Sequence, residues 1–229
     1  MNDARRDGAA ARFIKAASKI ETNELLATLL SFTFVFVLMT AYFILRPVRD
    51  SLSSDWTDEQ LSWLWTSTFF FSLIAVSIYG AVISRVRFRI IVPSVYTFFA
   101  TTFVGFYILG TTLGENDLVN RAFYVWLSVF SLYHLSVFWT FMSGLYNKEQ
   151  ARRLFSIIAL GATAGAIAGP AFVKAFVEQI GNLNMLLVSA GLMLVPLPLI
   201  VQLDRLRETA LGNADTQSRM IGQDKLTVN

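Results

Sequence analysis

The chain has 229 residues, 55% of them hydrophobic and only 15% charged, with a mean hydropathy of +0.54, which is more apolar surface than a soluble domain of this size can hide. The formal net charge is +3, and there is no cysteine, which excludes disulfides, iron–sulfur clusters and thiol catalysis. The composition predicts an all-α membrane protein in contact with a lipid bilayer.

The first 22 residues carry Arg5, Arg6, Arg12, Lys15 and Lys19. They lack the apolar core and small-residue cleavage site of a secretory signal, and Asp3 and Asp7 argue against an organellar transit peptide. They predict a cytoplasmic basic segment, with a short helix over residues 12–20 lying on the anionic inner leaflet.

Residues 23–203 hold six runs without Asp, Glu, Lys or Arg: 25–45, 61–83, 90–111, 122–146, 154–173 and 183–203. About 20 apolar residues at 1.5 Å each cross the roughly 30 Å hydrocarbon layer, so each run predicts a transmembrane helix. Short connections make neighbouring helices antiparallel. The first run, with Thr28, Ser31, Thr33, Thr40 and Tyr42, leads into Leu45-Arg46-Pro47-Val48-Arg49-Asp50, the start of the longest link. Two arginines three positions apart beside a carboxylate suit an anionic solute, because each guanidinium offers a bidentate fork and Asp50 pairs with the arginines when the site is empty. The alternative is that they anchor the first helix at the interface.

The fourth run carries Tyr124, Trp126, Ser128, Ser131, Tyr133, His134, Ser136, Trp139, Thr140 and Ser143, which predicts a face turned to a cavity or to other helices. Tyr42, His134 and Trp139 join Arg46, Arg49 and Asp50 as candidate substrate-binding residues. His134 reads as a proton relay or as a hydrogen-bonded structural residue. In the fifth run, Gly161, Gly165 and Gly169 share one face at four-residue spacing and Pro170 follows, predicting tight helix packing or a hinge. The sixth run is Leu, Val, Met and Pro over most of its length, which suits a lipid-facing position. Residues 204–229 are polar without apolar periodicity and read as a cytoplasmic tail.

Fifteen Lys and Arg fall in the N-terminal segment, the second-to-third and fourth-to-fifth connections and the C-terminal tail. Arg46, Arg49, Arg121 and Lys174 lie in the links on the other side. This asymmetry predicts both termini in the cytoplasm and a multi-pass protein of the inner (plasma) membrane. The basic charge is then a membrane-side effect and implies no nucleic-acid partner. A single His, no carboxylate cluster within a span and no Gly-rich phosphate loop predict no metal, no cofactor and no enzymatic activity.

Several of these segments resemble a known group of carriers. Gly80-Ala-Val-Ile-Ser84-Arg85-Val-Arg87-Phe-Arg89 is similar to the cytoplasmic loop motif of the major facilitator superfamily, with Ser84 for its aspartate and Arg87 for its glycine. The fifth-run Gly–Pro pattern resembles part of that superfamily's antiporter motif. Leu45 to Asp50, the stretch Ser136 to Met142, Glu149-Gln-Ala-Arg-Arg153-Leu-Phe155 and Gly165 to Pro170 together resemble the ATP:ADP antiporter family of nucleotide translocases. The resemblance covers residues 24–203 and corresponds to the N-terminal six-helix half of such a carrier. It implies exchange of nucleotides or related organic anions by alternating access, with substrate held between two six-helix halves. A homodimer or a second half is therefore the expected partner. Leu61, Ser62 and Trp63 stand where the nucleotide translocases carry a lysine. The competing expectation is a truncated or non-transporting membrane scaffold.

Overall fold

The computed structural model describes residues 20–83 and 88–212. The basic segment before Ile20, the loop at 84–87 with its motif residues, and the tail from 213 onward lie outside the described residues. Among the described residues all regular structure is helical: α1 (Leu25–Leu52), α2 (Asp58–Ile83), α3 (Phe88–Leu113), α4 (Asp117–Leu145), α5 (Lys148–Ile180), α6 (Asn184–Leu194) and α7 (Pro196–Thr209). Six helical segments are long and apolar enough to cross a bilayer, α6 and α7 together forming the sixth. The chain is a multi-pass membrane protein.

Local chemistry sets the turns. Asn116 caps α4 by accepting from the backbone N–H groups of Leu118 and Val119, and Asn147 caps α5 in a reciprocal capping box with Gln150. Gly181, at φ 87°, ends α5 in a conformation that side-chain-bearing residues resist. The sixth segment breaks at Val195 because Pro196 and Pro198 start a new helix there.

The spans run up and down. Asn23, before α1, donates to the Ala210 carbonyl after α7 at 3.1 Å, which places both described ends of the chain at one end of the bundle, here called the near end. At the opposite, distal end, Asn182 donates to Ser51 Oγ at 3.1 Å. α1 is central, packing on α4, α5, α6 and α7. Its closest neighbour is α5, because Gly161, Gly165 and Gly169 present bare backbone to it. A Cβ on Gly161 would stand 2.6 Å from the Phe32 carbonyl oxygen, one on Gly169 would stand 2.7 Å from Phe43 Cβ, and one on Gly165 would overlap the Phe36 carbonyl oxygen. The glycine stripe is therefore a packing face. α5 continues unbroken through Pro170, which is exposed.

Two apolar clusters fill the bundle. Phe34, Tyr96, Phe138, Met142 and Leu154 lead the near one, and Ile44, Phe99, Phe103, Phe130 and Met193 the distal one. The sixth segment departs from its expected lipid-facing place: Met185, Ser189, Met193, Ile200 and Leu203 are buried, and Ser189 donates to the Ala41 carbonyl at 2.8 Å. Hydropathy alone does not say which apolar face is covered. α2 is instead the least covered span, with 6% of its apolar window buried against 33–56% in the others. α7 also runs past Leu203 to Thr209, where Asp204 and Arg207 pair at 3.6 Å and are buried, as is Leu211, so one face of the helix stays packed beyond residue 203.

Candidate functional site

The seam between α1 and α4 gathers most of the candidate residues. At its distal end Arg49 donates through Nε and Nη2 to Asp50 Oδ1, at 3.0 and 2.7 Å, with its side chain 17% exposed. Its guanidinium lies 4.9 Å from the Tyr124 ring centroid, a cation held over an aromatic face. The Tyr124 hydroxyl accepts from Trp65 Nε1 at 3.1 Å, and Trp56 meets the Tyr124 ring edge-on at 5.7 Å. Arg121, one turn before Tyr124 on α4, pairs with Asp117 at 2.8 Å and lies 5.8 Å from the Trp56 ring. The result is a patch of flat aromatic faces flanked by two cations and two carboxylates.

Arg46 does not join it. It is exposed, lies 5.8 Å from the Phe43 ring, and forms no ion pair among the described residues, so Asp50 holds Arg49 alone. A step of three residues leaves the two arginines about 60° apart around α1, and it is Arg49 that lies over the Tyr124 ring while Arg46 lies beside Phe43.

Deeper along the same seam, Tyr42 stacks on His134, with ring centroids 4.6 Å apart and planes at 25°, and Phe130 covers the imidazole at 5.1 Å. His134 is 3% exposed. Its Nδ1 lies 3.2 Å from the Phe130 carbonyl, which can only accept, so Nδ1 carries the proton and donates. Nε2 is then left buried without a hydrogen-bond partner. Tyr42 is two helical turns, about 10 Å, from Arg49, so this pair and the distal patch are separate layers of one seam. Trp139 belongs to neither: it packs on Phe138 and on Phe155 of α5, toward the near end.

The polar face of α4 is largely self-satisfied. Ser128, Ser136, Thr140 and Ser143 each donate to the carbonyl four residues back, at 2.6–2.9 Å. These hydroxyls therefore need no cavity. Trp56 and Trp65 belong to no motif in the sequence, and Tyr124 stands there as one more polar group of the fourth run. The usable signal was Trp56 close behind Arg49 and Asp50, a pattern also expected of any interfacial aromatic belt. No three of His, Asp or Glu gather closely enough among the described residues to hold a metal ion.

Comparison with protein-family models, with curated proteins and with solved structures returned no match. The chemistry of the seam and the motif resemblances therefore carry the functional reading.

Proposed function

We propose that this chain is one six-helix half of a secondary transporter that exchanges anionic, ring-bearing organic solutes, nucleotides or their relatives, across the inner membrane by alternating access. Both termini face the cytoplasm. The reading rests on one observation above the rest: Arg49 sits between the Asp50 carboxylate and the Tyr124 ring, with Trp56 and Trp65 adjoining. Asp50 stands where a substrate phosphate or carboxylate would compete for the guanidinium, and the aromatic faces suit a flat ring carried by the same solute. Asp50 is 54% exposed, so it exchanges for an incoming anion without a large desolvation cost.

Alternating access needs a second six-helix unit, either another copy of this chain or a related one, and α2 with its uncovered Trp63, Phe69, Phe70 and Leu73 is the face that receives it. Arg46 keeps the second role available to such residues and anchors α1 at the interface, consistent with its exposure. The deciding experiment is counter-exchange of labelled nucleotides and small organic anions in proteoliposomes, made with any unit that co-purifies. Exchange that survives unchanged in the Arg46→Gln, Arg49→Gln double variant refutes the site and leaves a non-transporting scaffold as the better account.

A further inference from the structure

α2 and α3 both pack on α4 but scarcely on each other. Between them runs a groove of about 810 Å³, floored by Val125, Val129 and Tyr133 of α4 and walled by residues such as Phe71 and Ile78 of α2 and Val95 and Phe98 of α3. Its lining is apolar or aromatic for almost its whole length, and its one charged member is Arg121 at the distal mouth. From Leu118 to Tyr133 on α4 the floor extends 15 residues, about 22 Å. One leaflet is about 15 Å deep, half of the hydrocarbon layer, so the groove reaches from the headgroup level past the bilayer midplane.

Arg121 is the informative residue. Its Nη2 pairs with Asp117 at 2.8 Å, and a third of its side chain stays exposed, so an anion at the mouth can still reach the guanidinium. Arg121 stands directly before the uncharged run that starts at Ala122, which places it at the headgroup layer. An apolar partner helix laid into the groove would cover its walls and bring no second anion to the guanidinium. A molecule with one hydrocarbon tail along the groove and a phosphate at its mouth satisfies both. The exposed carboxylate beside Arg121 narrows the head further: a purely anionic head meets Asp117 unfavourably, whereas a head carrying phosphate and a primary ammonium a few bonds apart places one on each member of the pair.

The geometry points to a structural phospholipid site in the α2–α3–α4 groove that selects a phosphoethanolamine headgroup, with its phosphate on Arg121, its ammonium on Asp117 and one acyl chain along the groove floor. This site does not rest on the transport reading, although Arg121 and Asp117 also flank the aromatic patch at the distal end of the α1–α4 seam.

Trp126 lines the groove and donates to Thr102 Oγ1 at 2.9 Å, which makes it a built-in reporter. Parent protein is reconstituted in phosphatidylcholine vesicles, and phosphatidylethanolamine with brominated acyl chains is titrated in while tryptophan fluorescence is followed. The component missing in Trp126→Phe should quench saturably, at a mole fraction about tenfold below that needed for brominated phosphatidylglycerol, the factor that one charge-assisted hydrogen bond supplies. Unbrominated phosphatidylethanolamine should reverse it. Arg121→Gln should abolish the headgroup preference, and Asp117→Asn should move it toward phosphatidylglycerol. Quenching that rises linearly and equally for brominated phosphatidylethanolamine and phosphatidylglycerol identifies ordinary boundary lipid and overturns the proposal. Absence of any Trp126 quenching overturns it too, because a protein segment then covers the groove. Both of those outcomes are read on the parent protein and stand whether or not the charge variants fold.

Discussion

Arg153 of α5 places Nη2 2.7 Å from Glu24 Oε1 at the start of α1, across 129 positions of sequence, and the Glu24 side chain is only 1% exposed. The same nitrogen lies 3.1 Å from Glu21. The pair therefore joins the near ends of the two most closely packed helices. Removing the arginine strands a buried carboxylate, which for a fully enclosed pair costs roughly 3–5 kcal/mol. Arg153 is 28% exposed, so Arg153→Gln should cost about 2–3 kcal/mol. Glu24→Gln, which leaves its partner reachable by water, should cost less. Thermal unfolding in mild detergent ranks the two variants, and an Arg153→Gln protein as stable as the parent contradicts this account.

The glycine stripe gives a second test on the same helix pair. Gly165→Ala drives a methyl into the Phe36 carbonyl, a backbone atom that cannot move without moving α1, and overpacking of this kind costs typically about 1–3 kcal/mol. Gly80, in α2, has nothing within 4 Å of an added Cβ, so Gly80→Ala should be neutral or stabilising by about 0.5–1 kcal/mol through helix propensity. If both substitutions shift the unfolding temperature alike, the stripe is not a contact surface.

What sequence makes legible here is whatever is encoded locally. The six spans follow from uncharged runs, and the tight face of α5 follows from the four-residue spacing of Gly161, Gly165 and Gly169. Which faces meet was less accessible. Arg46 and Arg49 look equivalent in sequence, yet only Arg49 points at Tyr124, because the phase of α1 is set by its packing on α5 and α6. Trp139 has the same chemistry as Trp65 and lies on a span with His134, yet it packs on Phe155, away from the other candidates. The sixth segment and α2 are both strongly apolar, and only tertiary contacts decide that the first is 39% buried and the second 6%.

Topology is testable because no native thiol competes with an introduced one. The Lys and Arg distribution predicts that cysteines in the 53–57 and 114–116 links are labelled from outside by an impermeant reagent, while those at 84–87 and at 146–149, the short link and first turn of α5, are not. The caps refine the choice of position: Asn116 and Asn147 each hold a helix start, and replacing such a cap costs about 1 kcal/mol, so Ser54, Glu115, Ser84 and Glu149 are the better sites. Inverse labelling at these four reverses the assigned orientation.

His134 separates structure from chemistry in a single substitution. Phenylalanine keeps the stack on Tyr42 and removes the buried Nε2 that has no partner, a group whose burial costs about 1–3 kcal/mol. The lost Nδ1–H bond goes to a carbonyl within the same helix. His134→Phe should therefore unfold at the same temperature as the parent or higher. If exchange of labelled anions survives in that variant, His134 is a packing residue, and if exchange stops while stability holds, its Nε2 serves the transport cycle. A clear drop in stability contradicts the orphan-nitrogen reading itself.

The two arginines should behave differently. Arg49 holds Asp50 with a bidentate nitrogen pair and presents its planar group to the Tyr124 ring, and lysine reproduces neither the fork nor the flat contact. Arg49→Lys should slow counter-exchange in proteoliposomes roughly tenfold although charge is kept, and Arg49→Gln should slow it further. Arg46, exposed and paired with no carboxylate among the described residues, should tolerate lysine with little loss, because an interfacial anchor needs only a long cationic chain. Tyr124→Leu removes the ring over which the guanidinium sits and should resemble Arg49→Lys, whereas Tyr124→Phe keeps the face, loses only the Trp65 hydrogen bond and should be milder. The amount of protein recovered in the membrane must match across the set before rates are compared. Equal sensitivity at Arg46 and Arg49 would show that charge at the distal end matters and the Arg49–Tyr124 geometry does not, which removes the main support for a built binding site on the α1–α4 seam.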